Sequence, residues 1–503
     1  DVIWLTPVQE CESYHGYDTI DYYNIDSRFG TLADYRELTY KAHQRGIRIL
    51  MDLVVNHTSL NNVWFRKSVQ LKTGKDIDAN DIDYRNFYHW KYSVANLAAP
   101  WYRYGTTNYH YYAKFSSGMP ELNYDYQGTR NAMVDVAKYW LGFGLDGFRI
   151  DAVKHVYMQD EVLAQSGDTI VTDGAYSNNK TKNVNFFKEF SNRIKSLYPD
   201  TFIVGENFDG WDARIKEYYQ GMDSLLDFAA YYHFVYNTFY SSGENTANVE
   251  ATSVVSNKYT IYNAQRSNGK AINSAFTSNH DVERMLNHVN NTLSGSQSSV
   301  SETHAAINTS NAATALSKAK VYAAAQLMQP GLCWIYYGDE LGMSGNILPN
   351  DGTNSPASAI GHDWNEDRWY RQPMKWSSNG SDSHETGYDF NGYTVAWDSY
   401  NKNTLVGATE QSGDANSMLS FFKALTLLKT QNKATLISGD YAGISSGASV
   451  FSFSRTGGGK TIKVYCNFGT STASISGGGT LLFGTSGATT SSVPGYGVAI
   501  VQA

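Results

Sequence analysis

Apolar runs that end in charged or amide side chains, separated by stretches of helical periodicity, constrain this chain more than any other feature. Residues 2–6 (VIWLT), 47–55 (IRILMDLVV), 145–150 (LDGFRI), 201–204 (TFIV) and 331–336 (GLCWIY) read as buried strands, with weaker ones at 225–228 and 272–277. Helical spacing falls between them, at 32–44, 131–143 and 186–197, and once more at 417–430. In the first of these Leu32, Tyr35, Leu38 and Ala42 recur on one face, and Gly46 marks the stop. Such alternation predicts a parallel sheet wrapped by helices. The count is seven strands. A closed (β/α)8 TIM barrel needs eight, and an open sheet would leave unpaired edges. The expectation is therefore that a first strand and helix precede Asp1.

Three stretches break the rhythm. Residues 58–127 are polar, rich in Tyr, Asn and Trp, and show no long periodic helix; an excursion of that length predicts an inserted domain after the third barrel strand. Residues 290–310 read as Ser/Asn-rich loop, and 344–412 as a long irregular stretch rich in Gly, Asp and Trp. From residue 432 onward short alternating strands (VFSFSR, TIKVYCNF, VAIVQ) with Ser/Gly/Thr turns predict a small antiparallel β-sandwich. The predicted organisation is a catalytic barrel over 1–57 and 128–431, the inserted domain over 58–127 and the C-terminal β domain over 432–503.

Composition excludes several classes. Forty Lys+Arg against 48 Asp+Glu leave a net charge of −8, without the basic footprint that nucleic acid requires. No run of eighteen apolar residues could form a membrane span. Cys11, Cys333 and Cys466 are odd in number and far apart, which fits neither a zinc ribbon nor a disulfide scaffold. Low charge (17%) and abundant Ser, Thr, Asn and Tyr lean towards an exported protein, extracellular or attached to the cell surface. Aromatic residues make up 14%, a composition suited to stacking on ring-shaped ligands as well as to packing.

Four predicted strand ends carry polar clusters: Asp52 to His57 in DLVVNH, Arg149 and Asp151 in GFRIDAVKH, Glu206 in VGEN, and Asn279, His280 and Asp281 in FTSNHD. Singly each has an ordinary explanation. An Asp after a strand is commonly a helix cap, and a buried His is commonly a satisfied core residue. Asp52, inside an apolar strand, reads as a hydrogen-bonding structural residue. Together, at the strand ends where parallel barrels place their chemistry, they converge on one mouth. Three carboxylates around one site suit glycosidic bond cleavage, with one attacking the anomeric carbon and another protonating the leaving oxygen. Arg149, two residues before Asp151 and on the same side of the strand, would keep that carboxylate ionised and oriented.

These four segments, in this order, resemble the signature regions of the α-amylase family, glycoside hydrolase family thirteen. SYHGYDTIDYYNID ahead of them and MPELN between the first two resemble further family segments. The resemblance implies Asp151 as nucleophile, Glu206 as general acid and then base, and Asp281 as the carboxylate that holds sugar hydroxyls. It also implies sugar contacts from His15, Tyr17, His57, Arg149 and His280, and leaving-group contacts from Lys154 and His155. A structural Ca²⁺ is implied where the inserted domain meets the barrel, with Asn56, Glu121 and the backbone carbonyl of His155 as ligands. Glu121 stands where the family has Asp. The expected reaction is retaining hydrolysis of internal α-1,4-glucosidic bonds in starch and maltodextrins, by a monomer, without an organic cofactor. The Lys154–His155 pair favours this over an exo-acting oligosaccharide α-glucosidase, a neopullulanase-type enzyme or a transglycosylase. A non-catalytic carbohydrate-binding homologue is disfavoured by the presence of all three carboxylates. The aromatic side chains Phe451, Phe453, Tyr465 and Phe468 of the β domain read as its core rather than as a starch-binding face.

Overall fold

The computed structural model describes residues 1–72, 84–157, 181–208, 215–232, 271–290, 307–346, 370–377, 388–390, 393–395, 400–401, 407–444 and 449–503. They form two compact units, Asp1–Leu226 and Asp227–Ala503.

In the first unit the strands Val2–Leu5, Arg48–Leu53, Gly147–Ile150, Phe202–Gly205 and Ser224–Leu226 lie side by side in that order. All their pairings are parallel. The connecting helices are Leu32–Gln44, Gln127–Gly142 and Thr181–Lys195. Thr31 caps the first through a reciprocal capping box with Asp34, a device worth about 1 kcal/mol. Its buried face is Tyr35, Thr39 and Ala42, whereas Leu38, expected on that face, is 42% exposed. The second helix begins four residues before the expected start, at Gln127. It buries Met133, Val136, Ala137 and Trp140, and the Trp140 indole donates to the Tyr22 carbonyl at 2.8 Å.

The inserted stretch contains a helix that the sequence did not announce, Val63–Lys72, and a three-stranded antiparallel sheet of Trp90–Tyr92, Tyr109–Tyr112 and Trp101–Arg103. Its core is aromatic: the Phe65 ring stacks on Trp90 with centroids 5.4 Å apart and meets the edges of Tyr88 and Tyr111. Stacked and edge-on rings add to the area they bury, so a segment without helical periodicity still has a core.

In the second unit the strands Ile272–Phe276 and Leu332–Trp334 pair in parallel. Between them runs the helix Ala312–Leu327, which periodicity missed because alanines on every side leave no polar face to set a rhythm. Residues 291–306 of the Ser/Asn-rich loop expected at 290–310, and much of the irregular stretch at 344–412, lie outside the described residues; within the latter, Tyr388–Phe390 and Tyr393–Val395 form an antiparallel pair. The helix Met418–Gln431 follows, capped by Ser417. The C-terminal strands form a five-stranded antiparallel sheet in the order Asp440–Gly443, Val450–Gly457, Lys460–Asn467, Gly497–Gln502, Thr480–Gly484. Phe451, Phe453, Tyr465 and Phe468 are all buried there, as core residues should be.

Candidate active site

Register builds the centre of the site. Asp52 pairs with Arg149 across the parallel strands Arg48–Leu53 and Gly147–Ile150, and Ile150 pairs with Gly205 on the next strand. The residues that follow, Asp151 and Glu206, therefore stand level at two adjacent strand ends. Backbone bonds continue the ladder to them, from Asp151 N to Leu53 O (3.2 Å) and from Glu206 N to Ile150 O (2.9 Å). Side chains two apart share a face of a strand, so Arg149 lies beneath Asp151.

The fully buried Arg149 guanidinium then ties three carboxyl groups together. Nη1 lies 2.8 Å from Asp52 Oδ1 and 2.7 Å from Asp151 Oδ1, and Nη2 lies 2.8 Å from Glu206 Oε1. Burial alone would lower the Arg149 pKa, but the charges of Asp52, Glu206, Tyr17 and Asp151 reverse this and hold it well above its ordinary value. Just after Asp151 the backbone enters a left-handed turn at Ala152 (φ 43°), a conformation that costs a non-glycine residue energy. The turn aims the Ala152 N–H at Glu206 Oε2, 3.1 Å away. A site holding two carboxyl groups at adjacent strand ends on one cation can perform paired acid–base and nucleophilic work.

Other expected residues gather around this centre. The Tyr17 hydroxyl donates to Asp52 Oδ2 at 2.9 Å, and its ring stacks with that of His15 at 6.0 Å between centroids. His15 Nδ1 accepts the Tyr17 N–H at 3.0 Å. His57 is buried, which pushes its pKa down to about 4, and its ring lies 5.3 Å from Phe115 of the inserted stretch. The His155 ring stands between Phe115 (5.6 Å) and Phe208 (5.5 Å). Burial, with Lys114 and Lys154 adding to it, drives the His155 pKa to about 2. Lys154 is buried too, its Nζ 3.5 Å from the centre of the Phe208 ring, a cation–π contact. Phe115 and Phe208 were not singled out from sequence, and isolated aromatic side chains in loops give no periodic signal.

In the second unit, Asp281 follows the strand Ile272–Phe276 and pairs with His280 Nε2 at 3.0 Å. Its other oxygen lies 3.1 Å from Arg371 Nη2, and Arg371 Nε also donates to the His280 carbonyl at 3.0 Å. Sequence reading missed Arg371, which lies 90 residues downstream in the stretch read as irregular.

Asn56 and Glu121, two of the expected calcium ligands, meet where the inserted stretch returns to the strand end. His57 and Glu121 form an antiparallel bridge, and Leu122 N donates to Asn56 O at 2.9 Å. Asn56 Oδ1 is buried with no hydrogen-bond partner among the described residues. Burial pushes the Glu121 carboxyl up to about 8, against a hydrogen bond from Asn56 and the Lys114 charge. An orphaned amide oxygen beside a carboxylate short of positive charge fits a hard cation. No group of three or more His, Cys, Asp or Glu is placed to hold a metal among the described residues, and this oxygen set, with its single carboxylate, would rely on amide and carbonyl donors.

The family model for the α-amylase catalytic domain matches residues 1–439. The chain belongs to the α-amylase family. It is a glycoside hydrolase of that family, with the family's (β/α)8-type barrel and a C-terminal antiparallel β domain. Among its relatives are α-amylase 3 of Dictyoglomus thermophilum, 29% identical over 86% of this chain and 70% of that protein, and an oligo-1,6-glucosidase of Parageobacillus thermoglucosidasius, 26% identical over 93% and 83%. Trehalose-6-phosphate hydrolase of Bacillus subtilis is 28% identical over 68% of this chain and 58% of that one. Among solved structures, the α-amylase of H. orenii superposes with a TM-score of 0.73 at 26% identity, covering 100% of this chain and 89% of that one. No helix among the described residues is long and apolar enough to cross a membrane.

Proposed function

We propose that this family member hydrolyses internal α-1,4-glucosidic bonds of starch and maltodextrins with retention of configuration, through Asp151, Glu206 and Asp281. The observation that carries the reading is the sharing of one buried guanidinium by Asp151 and Glu206 at adjacent strand ends. In the first step Asp151 Oδ bonds to the anomeric carbon as the glycosidic C–O bond breaks, and Glu206 gives its proton to the departing oxygen. In the second, Glu206 takes a proton from water, whose oxygen displaces Asp151 from the same carbon. Asp281, with His280, serves the hydroxyls of the sugar being cleaved, and Tyr17 stacks on its face. Calcium, when bound, would supply a positive charge for the Glu121 carboxyl and tie the inserted domain to the segment after Arg48–Leu53 that carries Asn56 and His57. The low charge of the chain supports an extracellular or cell-surface setting.

A second reading, an oligosaccharide α-glucosidase, is supported by the relatives named oligo-1,6-glucosidase. Lys154 and His155 favour the endo-amylase. Incubation with amylose, pullulan and short maltodextrins, followed by product separation, decides between them. Mixed oligomers released early from amylose support endo-cleavage, and glucose alone from chain ends overturns it.

A further inference from the structure

The inserted sheet carries more aromatic surface than its own core uses. Residues alternate across a strand, so Trp90, Tyr92, Tyr109 and Tyr111 share one face, with Trp90 opposite Tyr111 and Tyr92 opposite Tyr109. Among the described residues, the helix Val63–Lys72 covers one end of that face, where Phe65 packs on Trp90 and Tyr111. At the other end Tyr92 is 62% exposed, Val94 is 76% exposed, and Tyr109 is half-buried. The Tyr92 and Tyr109 rings meet edge to face, with centroids 5.3 Å apart. A pair set in this way offers one flat apolar ring face with a phenol edge beside it. This end lies away from the junction with the barrel. Tyr112, at the far end of the same strand, accepts from Glu121 N at 3.0 Å, and Tyr109 lies about 10 Å back along that strand.

Arg103 braces this end of the sheet. Its Nε donates to Asn96 Oδ1 at 2.7 Å, Nη1 to Asn108 Oδ1 at 2.9 Å and to the Thr107 carbonyl at 3.0 Å, and Nη2 to the Val94 carbonyl at 2.8 Å. It is the one charged side chain in residues 92–109, and four uncharged oxygens engage it. With their oxygens held by Arg103, the Asn96 and Asn108 amides keep their Nδ2 groups as donors; that of Asn108 lies 3.3 Å from the Tyr92 hydroxyl. A ring face, phenol hydroxyls and oriented amide N–H groups, with no acidic side chain among them, suit a neutral polyhydroxyl ligand with apolar ring faces. We propose that the Tyr92–Tyr109 face is a second glycan-binding site, which holds one segment of an α-1,4-glucan chain while the cleft cleaves another. The inference rests on the starch-type substrate proposed above. A chain held at two places meets the cleft at a raised effective concentration, and a substrate too short to span both gains nothing.

The test uses the full chain with Tyr92→Ala, alone and combined with Tyr109→Ala. Affinity electrophoresis through gels holding soluble starch or dextran is read beside Tm, and beside kcat and KM on amylose and on maltotriose. For Tyr92→Ala the expected result is a parental Tm and starch retardation weakened about fivefold, the cost of one anchoring ring, with KM on amylose raised by about the same factor. The kcat on amylose, both constants on maltotriose and the mobility in dextran stay parental. The double variant moves further in the same direction; if it does not fold, Tyr92→Ala alone decides, since its position is exposed. Parental starch retardation and parental amylose KM in Tyr92→Ala overturn the proposal. An equal loss on maltotriose overturns it as well, because the tyrosines would then serve the cleft itself. A concentration-dependent dimer in sedimentation that Tyr92→Ala breaks up assigns the face to a second copy of the chain, and also overturns it. The products that the parent releases from amylose keep the two readings apart. Glucose alone from chain ends removes endo-cleavage, whereas starch retardation lost with Tyr92→Ala supports the second site even then.

Discussion

Asp151 and Glu206 stand level at the ends of adjacent parallel strands, 2.7 Å and 2.8 Å from the two terminal nitrogens of the same arginine. Fifty-five residues apart in the chain, they are brought together by a register in which Ile150 and Gly205 are partners. A one-residue slip of either strand would turn one of these carboxyl groups to the opposite face.

Removing either carboxylate should abolish turnover without unfolding the chain. Asp151→Asn and Glu206→Gln are each expected to cut the initial rate on soluble starch by about three orders of magnitude or more. Both should keep the parental Tm, since each removes one negative group from a cluster with three carboxyl groups to one cation. A thermal melt beside the rate assay checks both parts.

Arg149 should behave in the opposite way. Its replacement by Leu leaves the carboxyl groups of Asp52, Asp151 and Glu206 without their shared cation in a buried site, and should cost about 3–5 kcal/mol of stability. Urea denaturation measures that loss. A midpoint unchanged from the parent would show that the cluster is hydrated rather than held by charge.

The proposed calcium would leave a signature in stability at Glu121. Its carboxyl in the cation-free fold is raised from 4.5 to about 8, so the folded state holds a proton that the unfolded state releases. Its contribution is complete below about pH 4.5 and disappears as pH rises through about 8. Calcium bound at this carboxyl, as proposed, would replace that proton. In chelator the Tm should therefore fall across this window relative to the calcium-loaded protein, and Glu121→Gln should remove the difference in slope.

His57 and His155 should stay neutral throughout the range in which such an enzyme is assayed. Burial takes them to about 4 and about 2, so neither ring titrates between pH 5 and 8. The sign is that of a depressed histidine: the unfolded chain takes up protons first, so stability is lost as pH falls from about 6.5. Imidazole chemical shifts followed by NMR across pH 5–8 check this, and a midpoint near 6.5 for His57 would contradict it.

Arg371 should matter to catalysis and little to stability. It pairs with Asp281, whose side chain is 47% exposed, and half-exposed pairs contribute about 1 kcal/mol or less. Arg371→Gln is expected to lower kcat/KM about tenfold by letting the Asp281 carboxylate turn, with denaturant stability close to parental. Steady-state kinetics and a urea titration on the same preparation read both effects.

The alternation of strand and helix, the polar strand ends and the helices expected at 32–44 and 417–430 were legible in the sequence, because each rests on residues within a few positions of one another. The same holds for the identity of Asp151, Glu206 and Asp281 as residues to watch, and for the buried aromatic core of the C-terminal sheet. The helix Ala312–Leu327 escaped because its alanines carry no periodic contrast, and the helix Val63–Lys72 because its aromatic side chains pack against a sheet that no local pattern announces. Only the tertiary structure decided that Asp52 shares the Arg149 guanidinium with the carboxyl groups of Asp151 and Glu206, that Lys154 folds onto Phe208, and that Arg371 reaches back to Asp281. The physical reason is distance along the chain. Period and capping are properties of neighbouring residues, whereas a shared counter-ion depends on strand register and on turns that bring remote side chains within about 3 Å of each other.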